Sequence, residues 1–269
     1  MDIVSLLILG IVQGITEWIP ISSKTQVTFV YLTFFKGNVS TVIPVLLYAH
    51  LGTLLAAILY FRKEIICLGR TFSDSPFDIR GHLRGKTGFL FTALLFTGLV
   101  GVPLLLLERT FFPTFEAGLL YAVMGAGLII TGLLLLSHNG TTTRTTDEVT
   151  WKDGILTGLL QGLSTLPGIS RSGTSTTGLI WRGFDSESSF YLSFFLSIPT
   201  VFFAEILLYL GGGLVSFPIT DGLILFTTSF IVGYLTLGTL LNIVRKVNIA
   251  YVVLALGLII IVVGLSGVG

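Results

Sequence analysis

The sequence predicts an all-α polytopic membrane protein. Of its 269 residues, 52% are hydrophobic and only 11% are charged, and the mean hydropathy is +0.94. An ordinary soluble domain carries about 25% charged residues. A soluble enzyme, a disordered chain and a nucleic-acid-binding protein are therefore excluded, and membrane lipids are the expected surroundings. The single cysteine, Cys67, excludes an intrachain disulfide.

Six apolar stretches have the length of about 20 residues that crosses a bilayer. They are 41–61, 87–108, 116–137, 188–210, 219–243 and 249–268. Two further stretches, 3–36 and 151–182, are apolar but are interrupted midway by Pro, Ser and Gly. Each half is too short to cross at ~1.5 Å per residue, and irregular backbone at that depth is tolerated only inside protein or facing a wet cavity. We therefore predict two re-entrant helical hairpins.

The two predicted hairpins resemble each other at an offset of 148 residues, as Gly10 and Gly158 illustrate. The other matches pair Gln13, Gly14, Thr16, Ile21 and Ser22 with Gln161, Gly162, Ser164, Ile169 and Ser170. An odd number of spans separates the copies, so the pattern predicts an inverted-topology repeat, each half being a hairpin plus three transmembrane helices. Repeat 1 covers about 3–137 and repeat 2 about 151–268 of a single domain, 1–269. Such repeats bind their ligand near the midplane, and the glycine spacing permits close helix packing.

Lysine and arginine residues predict the orientation. If the six spans alternate, Lys36 and Arg109 fall on one side and eleven other cations fall on the opposite side. The eleven are Arg62, Lys63, Arg70, Arg80, Arg84, Lys86, Arg144, Lys152, Arg182, Arg245 and Lys246. We assign this second side to the cytoplasm of a plasma-membrane protein. Both termini are then outside, and the site opens to the extracytoplasmic side.

The second hairpin has the composition of an anion site. Pro167 and Gly168 end a helix, and Gly173 is expected to permit an unusual φ where the next helix begins. Several hydroxyls surround Arg171, whose planar guanidinium suits phosphate. The new helix also presents unpaired N–H groups and a positive dipole end. We predict a phosphate cradle, and the alternative is a capped turn in which Arg171 pairs with a carboxylate.

The first hairpin supplies a carboxylate. Gln13 and Glu17 are four residues apart and share one helix face. Ser22 and Ser23 lie at the start of the next helix, where N–H groups are again unpaired. Glu17 can act as a base, as a metal ligand or as a structural partner of Arg171.

Ionisable residues within the membrane segments are functional candidates by default, and they include Lys24, His50 and Glu205. Lys24 either approaches the phosphate or extends to the outer surface. His50, in span 41–61, is either hydrogen-bonded structure or an acid–base group, because imidazole suits proton transfer near neutral pH. Glu205, in span 188–210, is expected to pair with a cation or to reach the outer surface.

The two hairpins resemble the motifs of the undecaprenyl-diphosphate phosphatase family, also called the bacitracin-resistance family. Residues 13–23 match its Glu/Gln-Gly-x-Thr-Glu-x-x-Pro-x-Ser-Ser motif, and residues 167–175 match its Pro-Gly-x-Ser-Arg-Ser-Gly-x-Thr/Ser motif. The stretch 190–199 also fits, so the resemblance covers essentially the whole chain. It implies a membrane hydrolase with inverted repeats, an outward-facing site and a divalent cation, Mg or Ca. Its implied substrate is a polyprenyl diphosphate, whose terminal phosphate is removed to recycle the lipid carrier of cell-envelope glycan synthesis.

The resemblance also assigns roles by position: Glu17 is the catalytic carboxylate, Ser23 the first-motif serine, and Ser170, Arg171 and Ser175 the phosphate-binding cluster. The predicted catalytic set is Glu17, Ser23, His50 and Arg171, and the predicted metal ligands are Glu17 and Gln13. The predicted phosphate ligands are Ser22, Lys24, Gln26, Ser170, Ser172, Gly173, Thr174 and Ser175.

The sequence departs from the commoner family pattern at two positions. Gln13 stands at the first acidic position, and Gln26 stands where many members carry a histidine. These departures, with the sequence Ser-Ser-Lys-Thr-Gln at 22–26, indicate a divergent, archaeal branch in which His50 replaces the missing imidazole. Besides the phosphatase, two interpretations stay open: a transporter that moves a lipid phosphate through the same cradle, and a catalytically inactive relative.

Overall fold

The computed structural model describes residues 1–74, 81, 85–111, 115–137, 143–210, 217–243 and 249–266. Within these ranges the chain is helical. The helices are α1 (Ile3–Thr16), α2 (Ser23–Phe34), α3 (Val42–Tyr60), α4 (Arg62–Asp74), α5 (Gly85–Phe111), α6 (Ala117–Leu136), α7 (Trp151–Gly162), α8 (Arg171–Trp181), α9 (Ser186–Leu210), α10 (Ile219–Ile243) and α11 (Ile249–Leu265). Short 3-10 turns lie at Val39–Thr41, Thr146–Glu148 and Leu163–Thr165.

Five helical segments are long and apolar enough to cross a membrane. They are Val39–Tyr60, Gly85–Glu108, Ala117–Leu136, Ser186–Leu210 and Ile219–Thr239. These segments coincide with five of the six predicted spans and confirm a multi-pass membrane protein. The sixth, predicted at 249–268, is the shorter apolar helix α11 of 17 residues, and the predicted residues 267 and 268 lie outside the described ranges.

Each predicted hairpin contains two short helices with a break between them. The helices have 14 and 12 residues in the first pair and 12 and 11 in the second. The backbone turns left-handed at Ser22, with φ of +58°, and at Gly168, with φ of +87°. The expected unusual φ at Gly173 is therefore wrong. Gly173 lies inside α8, where a Cβ would come within 2.6 Å of Thr131 Cγ2, so close packing is what favours glycine there.

The glycines of α1 and α7 let these helices approach a neighbour closely. A Cβ on Gly14 would lie 2.7 Å from the backbone N of Gly233 on α10. A Cβ on Gly162 would lie 3.1 Å from the backbone N of Gly101 on α5. The predicted packing role of the glycine spacing is confirmed. Helices α6 and α11 also pack along each other, as do α3 and α10.

One end of the bundle collects several of the cations used for the orientation prediction. Asp153, at the start of α7, accepts hydrogen bonds from Arg144 at 2.8 and 3.0 Å and from Arg182 Nε at 2.7 Å. Lys86 Nζ lies 4.0 Å from Asp147, which is in the segment between α6 and α7. Four other cations of that set, Arg80, Arg84, Arg245 and Lys246, lie outside the described residues. The contacts therefore place Lys86, Arg144 and Arg182 at one end of the molecule.

Candidate active site

A cavity of about 750 Å³ lies where the two helix breaks meet. The starts of α2 and α8 contribute its polar end, together with His50 on α3 and Glu205 on α9. Its walls are largely apolar and come from α5 and α9, for example Leu95, Val102 and Phe203. The cavity therefore combines a polar end with a long apolar surface.

Glu17 is the centre of the polar end. Its side chain is buried, and Oε2 accepts hydrogen bonds from Ser23 Oγ at 2.6 Å and from Gln13 Nε2 at 2.8 Å. Oε1 accepts a hydrogen bond from Arg171 Nη2 at 2.6 Å. The carboxylate thus joins the two breaks, which are 154 residues apart at this contact. This is the carboxylate partner that the capped-turn interpretation requires for Arg171.

The second arm of the Arg171 guanidinium has a different environment. Nη1 is buried and has no hydrogen-bond partner within the described residues. A buried charged donor without a partner is costly, by more than the ~1–3 kcal/mol of a neutral group. Arg171 also lines the cavity. Pairing with Glu17 therefore leaves one arm of the fork available to an oxygen of a ligand.

Two helix N-termini converge on the same cavity. Helix α2 begins at Ser23, after Ser22, whose side chain makes no capping hydrogen bond. Helix α8 begins at Arg171, after Ser170, whose Oγ accepts a hydrogen bond from the backbone N of Gly173 at 3.3 Å. First-turn N–H groups have no partner within their own helix and form the positive end of its dipole. The convergence of two such ends favours an anion.

Lys24 lies at the cavity and does not extend freely to the surface. Its Nζ donates to Glu108 Oε1 at 2.7 Å and to the carbonyl oxygen of Thr165 at 2.9 Å. Glu108 is on α5 and also lines the cavity. It was not among the predicted site residues, although it is an ionisable residue at the end of predicted span 87–108. Lys24 therefore connects both breaks to α5.

His50 lies between two carboxylates. Its Nε2 is 3.6 Å from Glu17 Oε2, and its Nδ1 is 3.2 Å from Glu205 Oε1. Glu205 is only 6% exposed, so of its two expected environments the outer surface is wrong, and its partner is the ionisable ring of His50. Sequence reasoning missed Glu205 as a site residue. Its position in the predicted span 188–210 was the signal that could have identified it, because a carboxylate within an apolar span is a functional candidate by default.

The predicted phosphate ligands divide into two groups. Ser22, Lys24, Ser170 and Ser172 line the cavity. The other four lie outside its lining: Gln26, Gly173, Thr174 and Ser175.

In this second group the side chains of Gln26, Thr174 and Ser175 donate hydrogen bonds to nearby backbone carbonyls. Gln26 Nε2 donates to the carbonyl of Ile21 at 2.9 Å, and Ser175 Oγ donates to the carbonyl of Arg171 at 2.8 Å. These contacts shape the two breaks around the cavity, and direct phosphate contacts from these residues stay predictions.

The predicted metal ligands, Gln13 and Glu17, do not form a recognisable cation site. Gln13 directs its Nε2 donor at Glu17, and both oxygens of Glu17 accept hydrogen bonds from protein donors. Only Oε1 of Gln13, which is buried without a partner among the described residues, is left as an oxygen ligand from this pair. Across the described ranges, no group of three or more His, Cys, Asp or Glu side chains is placed to hold a metal ion. The donor set at Glu17 therefore does not fit a divalent cation held by the protein.

Comparisons with known proteins agree on one family. The family model described as bacitracin resistance protein BacA matches residues 6–264. A protein of Methanothrix thermoacetophila named undecaprenyl-diphosphatase is 34% identical over 259 residues, covering 96% of each chain. A protein of the same name from Methanococcoides burtonii is 38% identical over 258 residues, covering 93% of this chain and 94% of its own. A third, from Saccharolobus islandicus, is 41% identical over 194 residues, covering 71% and 68%.

Proposed function

The chain belongs to the bacitracin resistance protein BacA family, and we propose that it is a membrane phosphatase acting on a polyprenyl diphosphate of the undecaprenyl type. The products are the polyprenyl monophosphate and inorganic phosphate, which recycles the lipid carrier of cell-envelope glycan synthesis. The relatives named undecaprenyl-diphosphatase support this proposal. The observation that carries it is the cluster of Glu17, Ser23 and Arg171, in which one buried arm of the guanidinium has no partner within the described residues.

The form of the cavity supports an amphipathic substrate. Its polar end suits a diphosphate, and its apolar walls suit a polyprenyl chain. Phe91 and Leu95 on α5 and Phe203 on α9 line the cavity, and each of these residues is more than half exposed. In a membrane these surfaces contact lipid, so the lipid tail has an apolar route between α5 and α9.

Phosphate recognition in this proposal uses three kinds of positive group. Arg171 Nη1 donates to an oxygen of the terminal phosphate, and charge-assisted bonds of this kind are about twice as strong as neutral ones. The N-termini of α2 and α8 add backbone donors, and Lys24 adds a second cation. Ser22, Ser170 and Ser172 contribute hydroxyls at the cavity wall.

The chemistry follows from the short contact between Ser23 Oγ and Glu17 Oε2, 2.6 Å. Ser23 Oγ attacks the terminal phosphorus, and its proton passes to Glu17. The bond from that phosphorus to the bridging oxygen breaks, and the polyprenyl monophosphate leaves with the electron pair. Water then attacks the phosphoserine, and the bond from phosphorus to Ser23 Oγ breaks. Ser23 Oγ takes back its proton from Glu17, and the attacking water loses one proton to solvent as inorganic phosphate forms. Arg171 and the helix N-termini stabilise the charge on the transferring phosphoryl group.

The finer architecture is part of the proposal: an inverted-topology repeat in one domain, 1–269, with re-entrant hairpins at 3–36 and 151–182. Matching contacts in the two halves support it. Gln13 Nε2 donates to Thr53 Oγ1 at 3.4 Å, and Gln161 Nε2 donates to Thr200 Oγ1 at 2.9 Å. Likewise α1 packs on α10 as α7 packs on α5. The first helix of each hairpin therefore pairs with a span of the opposite half.

We also propose that the site opens to the extracytoplasmic side and that both termini are outside, on the basis of the cation distribution. Native Cys67 is exposed on α4, at the predicted cytoplasmic end, and Glu116 is exposed at the opposite end. We expect a membrane-impermeant maleimide to label a Glu116→Cys, Cys67→Ser protein in intact cells. Native Cys67 should react only after permeabilisation. The reverse labelling pattern would contradict both the orientation and the outward-facing site.

The proposed activity is tested by phosphate release from a polyprenyl diphosphate by the purified protein. We expect stoichiometric inorganic phosphate and polyprenyl monophosphate, whereas a transporter of lipid phosphates or an inactive relative releases none. A parallel reaction with a chelator asks whether Mg or Ca takes part. Since the donors at Glu17 do not fit a protein-held cation, loss of turnover on chelation would indicate that the diphosphate itself carries the ion. Absence of phosphate release under both conditions would refute the proposed function.

A further inference from the structure

Glu205 and His50 are two ionisable residues on different spans that meet at the cavity. Glu205 is on α9 and His50 is on α3, and both line the same wall as Glu17. An ionisable side chain within a membrane segment is costly, by about 2.5–3.5 kcal/mol for a carboxylate on insertion scales. A functional role for the contact between Glu205 and His50 would explain why this cost is tolerated.

The geometry orients the imidazole. Nδ1 of His50 is 3.2 Å from Glu205 Oε1, and Nε2 on the opposite side of the ring is 3.6 Å from Glu17 Oε2. The second oxygen of Glu205, Oε2, is buried without a hydrogen-bond partner among the described residues. Within the described lining of the cavity, His50 is the one imidazole.

We propose that Glu205 is a positioning residue for His50, which acts as the proton relay of the reaction; this inference rests on the proposed phosphatase function. Glu205 accepts a hydrogen bond from Nδ1–H, which fixes the tautomer and directs Nε2 at Glu17. When Glu17 receives the proton of Ser23, it passes that proton to Nε2, and the carboxylate of Glu205 stabilises the resulting imidazolium. The proton returns by the same route when the phosphoserine is hydrolysed, so His50 and Glu205 end each cycle unchanged.

The charges that face His50 come from four elements. Glu17, directly after α1, and Glu205 on α9 are in contact with the ring, and Arg171 on α8 and Lys24 on α2 line the same cavity. Arg171 is paired with Glu17 and Lys24 is paired with Glu108. Glu205 is therefore the carboxylate that is left to balance a charge on His50.

The test compares Glu205→Gln with Glu205→Asp and with a control, Glu116→Gln, which makes the same change at an exposed site outside the cavity. For Glu205→Gln we expect kcat to fall on the order of 10²-fold with little change in KM. The limb of the pH–rate profile that reports His50 should move to lower pH, because an amide does not stabilise an imidazolium. Glu205→Asp should retain more activity than Glu205→Gln, and Glu116→Gln should resemble the wild type.

A double-mutant cycle separates positioning from a general structural role. In a His50→Gln background, Glu205→Gln should cause no further loss of kcat. Losses that multiply, or a Glu205→Gln protein with wild-type kcat and an unshifted pH profile, would overturn the proposal. Should Glu205→Gln fail to fold, ¹⁵N spectra of labelled histidine in Glu205→Asp give the decision. The shorter carboxylate lengthens the contact with Nδ1, so a shifted His50 signal supports positioning and an unchanged signal overturns it. A wild-type protein that releases no phosphate would instead refute the proposed function itself.

Discussion

Replacing Arg171 with lysine is expected to lower kcat by a factor on the order of 10²–10³ while the protein still inserts and folds. The reason is that the two terminal nitrogens of the Arg171 guanidinium have different roles. Nη2 holds Glu17 Oε1 at 2.6 Å, and Nη1 is buried with no partner in the described part of the chain. A lysine ammonium is a point charge that cannot reproduce this planar fork. It would bind Glu17 or the phosphate, but it would not hold both in the same geometry.

Arg182→Lys is the matched control for this prediction. Arg182 directly follows the same helix, α8, and its Nε donates to Asp153 at 2.7 Å; neither residue lines the cavity. Phosphate release by both variants should be measured after their thermal stability in detergent has been compared. Near-normal turnover by a folded Arg171→Lys protein would refute the assignment of Arg171 to the phosphate. A similar loss in Arg182→Lys would mean that any disturbance of α8 lowers the rate.

The sequence predicted the contact between the two breaks because both carry short-range signals. Pro, Ser and Gly interrupt an apolar stretch at each break, and the match between the copies places the breaks opposite each other. From this it followed that Arg171 and Glu17 could pair across the 154 residues that separate them. The same local reasoning grouped all hydroxyls near Arg171 as phosphate ligands. Helix geometry divides them instead, since Ser175 bonds back to the carbonyl of Arg171 at 2.8 Å, as hydroxyls inside helices often do.

The contact between His50 and Glu205 was beyond local reasoning. Helices α3 and α9 are apolar along most of their length, so their patterns do not show which face is turned to the cavity. Their relative placement is set by packing between spans that are distant in sequence, and no motif includes either residue. Only the cost of a carboxylate in an apolar span identified Glu205 as unusual. Its partner became evident from the three-dimensional arrangement.

Glu17→Gln is expected to abolish turnover, and His50→Ala is expected to weaken it. Glu17 Oε2 is 2.6 Å from Ser23 Oγ, so it is the nearest acceptor for the proton that a serine nucleophile must lose. Glutamine keeps the shape of the side chain, but it cannot accept that proton and it does not pair as a charge with Arg171. General-base catalysis contributes about 10²–10⁴-fold, and misplacement of Arg171 adds to the loss. His50 is 3.6 Å from the carboxylate and acts after Glu17 in the relay, so its loss should be smaller.

Two measurements assign these roles. The first is kcat for Glu17→Gln and His50→Ala beside a control, Glu64→Gln. The Glu64 carboxylate accepts a hydrogen bond from Tyr191, which is at the end of α9 opposite to Glu205. The second is the pH–rate profile, because the ordinary pKa values of glutamate and histidine side chains differ by about two units. If His50 takes part as the relay, its removal should change the shape of the profile as well as its height. Wild-type rates in Glu17→Gln together with an inactive His50→Ala would reverse the roles: His50 would be the base, and Glu17 would serve only to hold Arg171 between the two breaks.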